Sequence, residues 1–405
     1  MKRMFTPYTL LLGILLTVVS ACREKEPATP ANAALTIEQA DATINDIIKQ
    51  EGLMGLSVAV VKGDKLVFSK GYGLANQETN QPTTNESIFL IASISKTATG
   101  MAAMQLVEQG KLSLDTDINQ YLPFKLTNPK NPQAVITCRH LMTHTATVVD
   151  AHYNQVANPA LYTFGSDPTL SLADFTRAFF VPGGTYYSPD SFGAGSPGGR
   201  YAYTNLGIAL LGYIVEVVAK KPFDQYTNDM IFAPLGMTKT SWRLRDLPAA
   251  GLAMPYNDQN KPYGHYTFAD YPNGGLRTTV NDLSKFLRAV MLGGALNGKR
   301  VLSAAGIAEI SRIQYPTLAG AERQGLIWGY VRPTDVGASP GPQLPTEVFG
   351  HAGGEQGVFT LMFFDPATRA GAIVFTNEDV ASEKGYQRLI DLELALIQLG
   401  AAQQP

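Results

Sequence analysis

Residues 91–100 read IASISKTATG, which sets Ser93 three positions ahead of Lys96 in a stretch able to start a helix. Positions i and i+3 share a helix face, so the lysine amine can reach the serine hydroxyl. A serine in the first turn also sits where unpaired N–H groups and the positive dipole end favour a developing negative charge. The hydroxyl is a weak nucleophile until a neighbour takes its proton, and a lysine does so when burial or a nearby cation lowers its pKa. The competing reading is ordinary helix surface. The pattern alone does not choose, because chance supplies about one S-x-x-K in a chain of this size.

Two further elements favour chemistry. The stretch GSPGGRYAYTNLGIALLGYI puts Tyr203, Thr204 and Asn205 after a Pro-Gly turn and before an apolar helix. A tyrosine hydroxyl at such a junction can relay a proton, and the Asn205 amide can hold a substrate carbonyl or the lysine. The same triplet recurs at Tyr226-Thr227-Asn228, and Tyr271-Pro272-Asn273 matches in a loop. Phe223, Tyr226, Thr227, Met230 and Ile231 fall on one helical face, so Tyr226 reads as core. The third element is FGHAGGEQGVF, in which His351 precedes Ala352, Gly353 and Gly354 after a short β-prone run. Glycines let a backbone approach a ligand closely, and an N–H there can point at an oxyanion. His351 can supply positive charge or a hydrogen bond beside Tyr203, or serve as a buried structural histidine.

The chain around these elements has 405 residues, 45% hydrophobic and 16% charged, with a net charge of −2. That composition fits a folded protein and gives neither nucleic acid nor an anionic membrane surface an evident foothold. Lys2 and Arg3 precede an apolar run from Tyr8 to Val19 that is too short to span a bilayer and has the layout of a secretory signal. Val19-Ser20-Ala21-Cys22 resembles a bacterial lipobox, so residues 1–21 are expected to be a lipoprotein signal peptide and Cys22 the lipidated N-terminus. Residues 22–34 form a Pro/Ala-rich tether. Arg23, where Asp would favour inner-membrane retention, points to an outer-membrane anchor in the cell envelope. Cys138 is the other cysteine; with Cys22 lipidated it has no partner, which implies a protein without disulfides and excludes a cysteine metal cluster.

The periodicities predict an α+β fold over 35–400. Thr36 and Gln39 form a capping-box pattern before an amphipathic helix, and LSVAVVKGDKLVFSKGYG reads as a hairpin around Gly63-Asp64. Helical patterns and long loops dominate from 93 to about 235. Thr279 with Asp282 starts another helix, strand patterns return at 325–332, 347–350, 357–364 and 370–376, and a helix closes the chain over 383–399. Strands at both ends with helices between predict an antiparallel sheet interrupted by a helical insertion.

S-x-x-K, Y-x-N and H-x-G in this order resemble the serine β-lactamase and DD-peptidase superfamily, in the branch of class C β-lactamases, D-alanyl-D-alanine carboxypeptidases and related esterases. ITCRHLMTHTA, IFAPLGMTKTSW, NGGLRTTVNDLSKFL and FFDPATRAGAIVFTN are similar to that family's connecting segments, so the resemblance extends over roughly 38–398. It implies an antiparallel sheet flanked by helices plus an all-α domain. It also implies Ser93 as acylated nucleophile, Lys96 as proton partner, Tyr203 as acid/base, and Asn205 as substrate and network contact. His351 becomes the third-motif residue, Gly353 a substrate contact, and the Ser93 and Gly354 N–H groups the oxyanion hole. No metal or cofactor is expected. Two departures stand out: Ala352 where a Thr or Ser hydroxyl often helps hold a substrate carboxylate, and THTATVV where THTSGL is usual.

Other candidates carry less. His140 and His144, four apart, lack the companions of a zinc site. AGSPG at 194–198 misses a nucleophile elbow, and Arg277 reads as a surface arginine with an outside chance of greeting an anionic substrate. The loop 149–200 either walls the cleft or is a solvated insertion. The expected function is an exported, lipid-anchored serine hydrolase acting through an acyl-enzyme on an ester, amide or D-amino-acid peptide. The alternatives are a true β-lactamase and a penicillin-binding or sensor module with little turnover.

Overall fold

The run GLSVAVVK is apolar at nearly every position, as a strand covered on both faces must be. It forms β1 (Gly55–Lys62), whose Leu56, Val58 and Val60 enter one hydrophobic cluster while Ala59 and Val61 enter another. Successive strand side chains point to opposite faces, so β1 divides two cores. The computed structural model describes residues 36–338 and 345–404, without the side chains of 157–160. Residues 1–34, on which the expected signal peptide, lipidation at Cys22 and tether fall, lie outside the described residues.

β1 pairs with β2 (Lys65–Asn76), which pairs with β3 (Gln81–Pro82). On its other side β1 pairs antiparallel with a strand from the far end of the chain, Val58 opposite Val374. With β4 (Gly329–Val331), β5 (Val348–Glu355), β6 (Val358–Asp365) and β7 (Ala370–Thr376), the sheet runs β4-β5-β6-β7-β1-β2-β3, antiparallel throughout. The expected join of the two chain ends in one sheet is therefore realised, with the junction at its centre.

Helix α1 (Ile37–Glu51) covers one face through Ala40, Ile44 and Ile47, next to the closing helix, which runs over Glu383–Ala402. Its capping box is present: Thr36 Oγ1 accepts from Gln39 N–H, and Gln39 Oε1 accepts from Thr36 N–H. The other face meets the helical part. There lie α2 (Ser95–Glu108), α3 (Asn205–Ala219) and α4 (Val280–Met291), the last capped by Thr279, whose hydroxyl accepts from Asp282 N–H at 3.0 Å; the closing helix is α5. α2 is buried all along Ser95–Leu106 and α3 along Leu206–Val215. Helices hydrophobic or small on every side are interior helices.

Three expectations shift. The β-prone run at 347–350 continues through the glycines to Glu355, because the register with β6 holds from Phe349–Phe364 to Glu355–Val358. The strand expected over 325–332 shortens to Gly329–Val331, since Ile327 takes a left-handed φ of 70° that breaks an extended backbone. The single face 223–231 also fails: after Thr227 the backbone widens into a π-turn over Asn228–Phe232, which buries Ile231 and Phe232 and leaves Met230 39% exposed.

Candidate active site

Ser93 lies on a single 3₁₀ turn, Ala92–Ile94, immediately before α2. Ala92 holds φ at 45°, a conformation that costs a non-glycine residue and that turns the chain sharply from the strand Phe89–Leu90 into the helix. One step along α2, the Lys96 side chain runs inward and is wholly buried. Its Nζ is 2.9 Å from Ser93 Oγ, 2.7 Å from Asn205 Oδ1 and 2.7 Å from the carbonyl oxygen of Asn273. An ammonium has three donors, and here each meets an acceptor. Burial nevertheless pulls the Lys96 pKa down to about 7, against the opposing pull of Asp150, Asp270 and Glu355. The residue is thus divided between its two forms near neutrality, where a proton acceptor is most useful.

Tyr203 comes from the loop before α3, and its hydroxyl adjoins Ser93. Its ring lies under Lys96 Nζ, 5.0 Å from the centroid. Burial raises its pKa well above the ordinary tyrosine range, so it holds its proton and can give one up only to a strong base. Thr204 is the cap of α3 and accepts from Gly207 N–H at 3.0 Å, which places Asn205 at the first helical position facing Lys96. The decoy Tyr226 is core, as expected: it is 6% exposed, and the adjacent Thr227 hydroxyl accepts from Trp242 Nε1 at 2.7 Å.

His351 stands on β5 with its ring centroid 6.5 Å from that of Tyr203. Burial, then the nearby Lys96, lowers its pKa to about 4, so the expectation that it supplies positive charge gives way. Its Nδ1 faces the Ala352 carbonyl, which can only accept; Nδ1 therefore carries the proton and Nε2 is left as an acceptor. Gly353 is required where it is. A Cβ there would lie 2.6 Å from Ile91 O and 3.0 Å from Ser93 N, so only glycine lets β5 run against the nucleophile's turn. Thr360 secures that contact by donating to Ile91 O at 3.0 Å. The Ala352 methyl packs toward the α1/α5 cluster on the opposite face. A missing hydroxyl at 352 therefore says little about carboxylate recognition.

The Beta-lactamase family model matches residues 40–395. The chain belongs to the beta-lactamase family. It is 25% identical over 257 residues to Protein flp of Staphylococcus aureus (strain N315), covering 62% of this chain and 48% of that one. The chain spans about half the length of the curated relatives it matches. Among solved structures, the D-alanine carboxypeptidase AmpC of Burkholderia cenocepacia aligns with a TM-score of 0.67 at 24% identity, covering 88% of this chain and 97% of that one. A class C beta lactamase of Rhodobacter sphaeroides aligns with a TM-score of 0.63 at 22% identity, covering 87% and 97%. These neighbours share the mixed helix and antiparallel-sheet fold.

Three residues of this beta-lactamase-family site were not read as such from the sequence. Asn273, noticed only as part of a rival triplet, gives its carbonyl to Lys96 while its side-chain amide donates to Asp270 Oδ2 at 2.6 Å. Asp270 also accepts from the Tyr153 hydroxyl at 2.6 Å. Asp150 accepts from Asn205 N–H at 2.7 Å, Leu206 N–H at 3.1 Å and the Thr204 hydroxyl at 2.7 Å, a carboxylate seated on the N-terminus of α3. No local pattern marks these three; their roles exist only once distant segments meet. Of the loop 149–200, Asp150 and Tyr153 join this network and the Tyr162 hydroxyl donates to Glu355 at 2.9 Å.

Other expectations are corrected. His140 and His144 do not share a helix, because the helix Cys138–Met142 ends between them. His140 serves the cap at Thr137, while His144 Nδ1 accepts from Thr204 N–H at 3.2 Å and its ring lies 4.4 Å from that of Tyr203. Arg277 is not a surface residue: it is 3% exposed, and its guanidinium donates to the carbonyls of Tyr266 and Gly275. The THTATVV departure places Thr147 at a left-handed φ of 62°, in the position where the usual pattern has glycine.

Proposed function

We propose that the protein is a serine hydrolase that forms an acyl-enzyme on Ser93 and acts on an ester or amide bond, with small esters or D-amino-acid peptides as the substrate class. The observation that carries this reading is the wholly buried Lys96 amine 2.9 Å from the Ser93 hydroxyl. Lys96 in its neutral form takes the proton as Ser93 Oγ bonds to the substrate carbonyl carbon. The Ser93 and Gly354 N–H groups receive the resulting oxyanion. As the carbonyl reforms, the bond to the leaving group breaks and that group takes a proton from Tyr203, which Lys96 replenishes. Water then attacks the acyl carbon, gives its proton to the same pair, and the Ser93 oxygen leaves with a proton restored. Asn205 fixes the lysine. The neutral His351, near the Tyr203 ring, offers Nε2 as a hydrogen-bond acceptor rather than a charge.

We further propose that the protein is exported and lipid-anchored through Cys22, a reading that rests on the sequence of residues 2–22 alone. No helix among the described residues is long and apolar enough to cross a membrane. Fractionation and mass spectrometry of the N-terminus test the anchor.

The hydrolase reading is tested with a fluorophosphonate probe and a panel of p-nitrophenyl esters, D-Ala-D-Ala peptides and nitrocefin. Ser93→Ala should abolish labelling and turnover. Ser95 is the nearest rival, but its hydroxyl accepts from Leu276 N–H at 3.0 Å inside the core. A mutant that still labels overturns the assignment. Wild type that labels without turning over any of the panel would favour a binding or sensor role, and efficient nitrocefin hydrolysis a true β-lactamase.

A further inference from the structure

His144, set aside as a metal ligand, holds the segment that carries Tyr203. It is 1% exposed and lies just past the helix Cys138–Met142 at a left-handed φ of 56°, a conformation that His, Asn and Asp adopt more readily than other side chains. Both its carbonyl and its ring meet residues 202–204. The His144 carbonyl accepts from Ala202 N–H at 2.8 Å, and its Nδ1 accepts from Thr204 N–H at 3.2 Å. One residue therefore grips the chain immediately before and immediately after Tyr203. The same imidazole packs on the tyrosine, with 4.4 Å between centroids and 35° between planes, while the Tyr201 ring stands nearly perpendicular to it at 5.9 Å.

The grip fixes the state of the ring. A nitrogen that accepts from a backbone N–H carries no hydrogen, so Nδ1 is bare, and a neutral imidazole of that kind keeps its proton on Nε2. An imidazolium would set a donor against the Thr204 donor and break the contact. Burial, then Lys96 and His351, hold the His144 pKa well below the ordinary histidine value, in keeping with that geometry.

What is gripped is the proton relay. The Tyr203 hydroxyl adjoins Ser93, and its ring lies 5.0 Å from Lys96 Nζ. Thr204 is held twice, its N–H by His144 and its hydroxyl by Asp150. A reacting group displaced by about 1 Å can cost on the order of 10²-fold in rate, so the segment's placement has kinetic weight.

We infer that His144 is a positioning residue of this site: through Ala202 and Thr204 it sets where the Tyr203 hydroxyl stands relative to Ser93, and it moves no proton itself. The inference deepens the hydrolase reading and rests on it.

The test compares His144→Ala with His144→Asn on the ester that wild type turns over fastest, with active sites counted by fluorophosphonate titration so that misfolded protein does not enter. Alanine keeps the strained backbone and removes the acceptor; asparagine takes the same backbone and offers an oxygen acceptor in place of Nδ1. Alanine should lower kcat by about tenfold to 10²-fold with KM within about threefold. Asparagine should recover most of that loss, with a pH profile of kcat/KM that superimposes on wild type, because a residue that moves no proton contributes no limb to it. Equal losses of kcat in both variants, or a lowered Tm with kcat intact, make His144 merely structural and overturn the inference. A limb missing from the asparagine profile makes it a proton carrier and overturns it as well.

Nitrogen-15 spectra of the wild-type imidazole decide the matter even where alanine fails to fold. Nδ1 should be bare and Nε2 protonated across roughly pH 5 to 8, and a proton on Nδ1 overturns the grip on Thr204. The same spectra separate the two readings. A bare Nδ1 in a protein that turns over none of the panel sinks the hydrolase reading and keeps the grip; turnover with a protonated Nδ1 does the reverse.

Discussion

Lys96 and Glu393 are wholly buried ionisable groups on opposite sides of one sheet, and burial drives both toward neutrality, the lysine down to about 7 and the carboxyl up to about 8. Their surroundings differ. Lys96 meets three acceptors, one of them a serine hydroxyl on a strained turn. Glu393, on α5, accepts only from Phe363 N–H at 3.0 Å, and its Oε2 has no hydrogen-bond partner among the described residues. A displaced pKa therefore marks a site only where other reactive groups converge on it; by itself it marks burial. Backbone strain is less selective. Ala92 and Thr147 hold a left-handed φ beside the site, but Lys220, Ile327 and Arg369 hold one elsewhere, and His144, Asn80, Asn260 and Asn297 are residue types that take it more readily.

The sharpest break of this comparison is Lys96→Met against Glu393→Gln. The first should cut kcat/KM for the best ester by about 10³-fold or more, since it removes the proton acceptor, while the second should stay within twofold of wild type. Comparable losses in the two folded proteins would show that burial, and not convergence, is what matters. The duplicated triplet gives the next largest contrast. Tyr203→Phe should lower kcat by about 10²-fold and Tyr226→Phe should not, because only the first hydroxyl adjoins Ser93.

How much of this was legible follows from how local each signal is. The helix caps at Thr36 and Thr279 and the alternation along the strands are written in neighbouring residues, and they read correctly. Ser93, Lys96, Tyr203, Asn205 and His351 were found because each sits in a short pattern with a chemical reason, and the structure brings them together. Asp150, Asp270 and Asn273 escaped because a carboxylate far along the chain from its partner has no sequence signature. The glycines after His351 read as a break, though they continue a strand: what demands glycine at 353 is the close approach of Ile91 and Ser93, which the local sequence does not show.

pH separates the two buried groups by sign. Only deprotonated Lys96 accepts the serine proton, so kcat/KM for a neutral ester should rise with pH and level off above about 7; His351, near 4, is already neutral there. A flat profile from pH 5 to 8 would count against the lysine. Glu393 has a folded pKa near 8 against an ordinary 4.5, so the folded state holds the extra proton and stability declines as pH rises across that window. Glu393→Gln removes that decline. Its Tm should match wild type at pH 4 and exceed it at pH 9, by roughly 1–2 °C for each kcal/mol regained.

The smallest effect concerns strain on the site side. Thr147 holds φ at 62°, and its hydroxyl accepts from Asn128 Nδ2 at 3.0 Å while its carbonyl accepts from Gly193 N–H at 2.7 Å. A left-handed conformation costs a residue with a Cβ about 1–2 kcal/mol, and a neutral hydrogen bond returns about 1. Thr147→Gly relieves the first and loses the second, and it adds the glycine's own conformational entropy of about 0.5–1 kcal/mol. The sum lies near zero, so Thr147→Gly should change unfolding free energy by less than about 1 kcal/mol. Thr147→Ala keeps the strain and loses the bond, so it should be the less stable of the two in urea unfolding. Alanine matching or exceeding glycine would mean that the segment from His144 to Asp150, which seats the helix bearing Asn205, is held without strain, and the asymmetry between the two sides of the sheet would then rest on side-chain convergence alone.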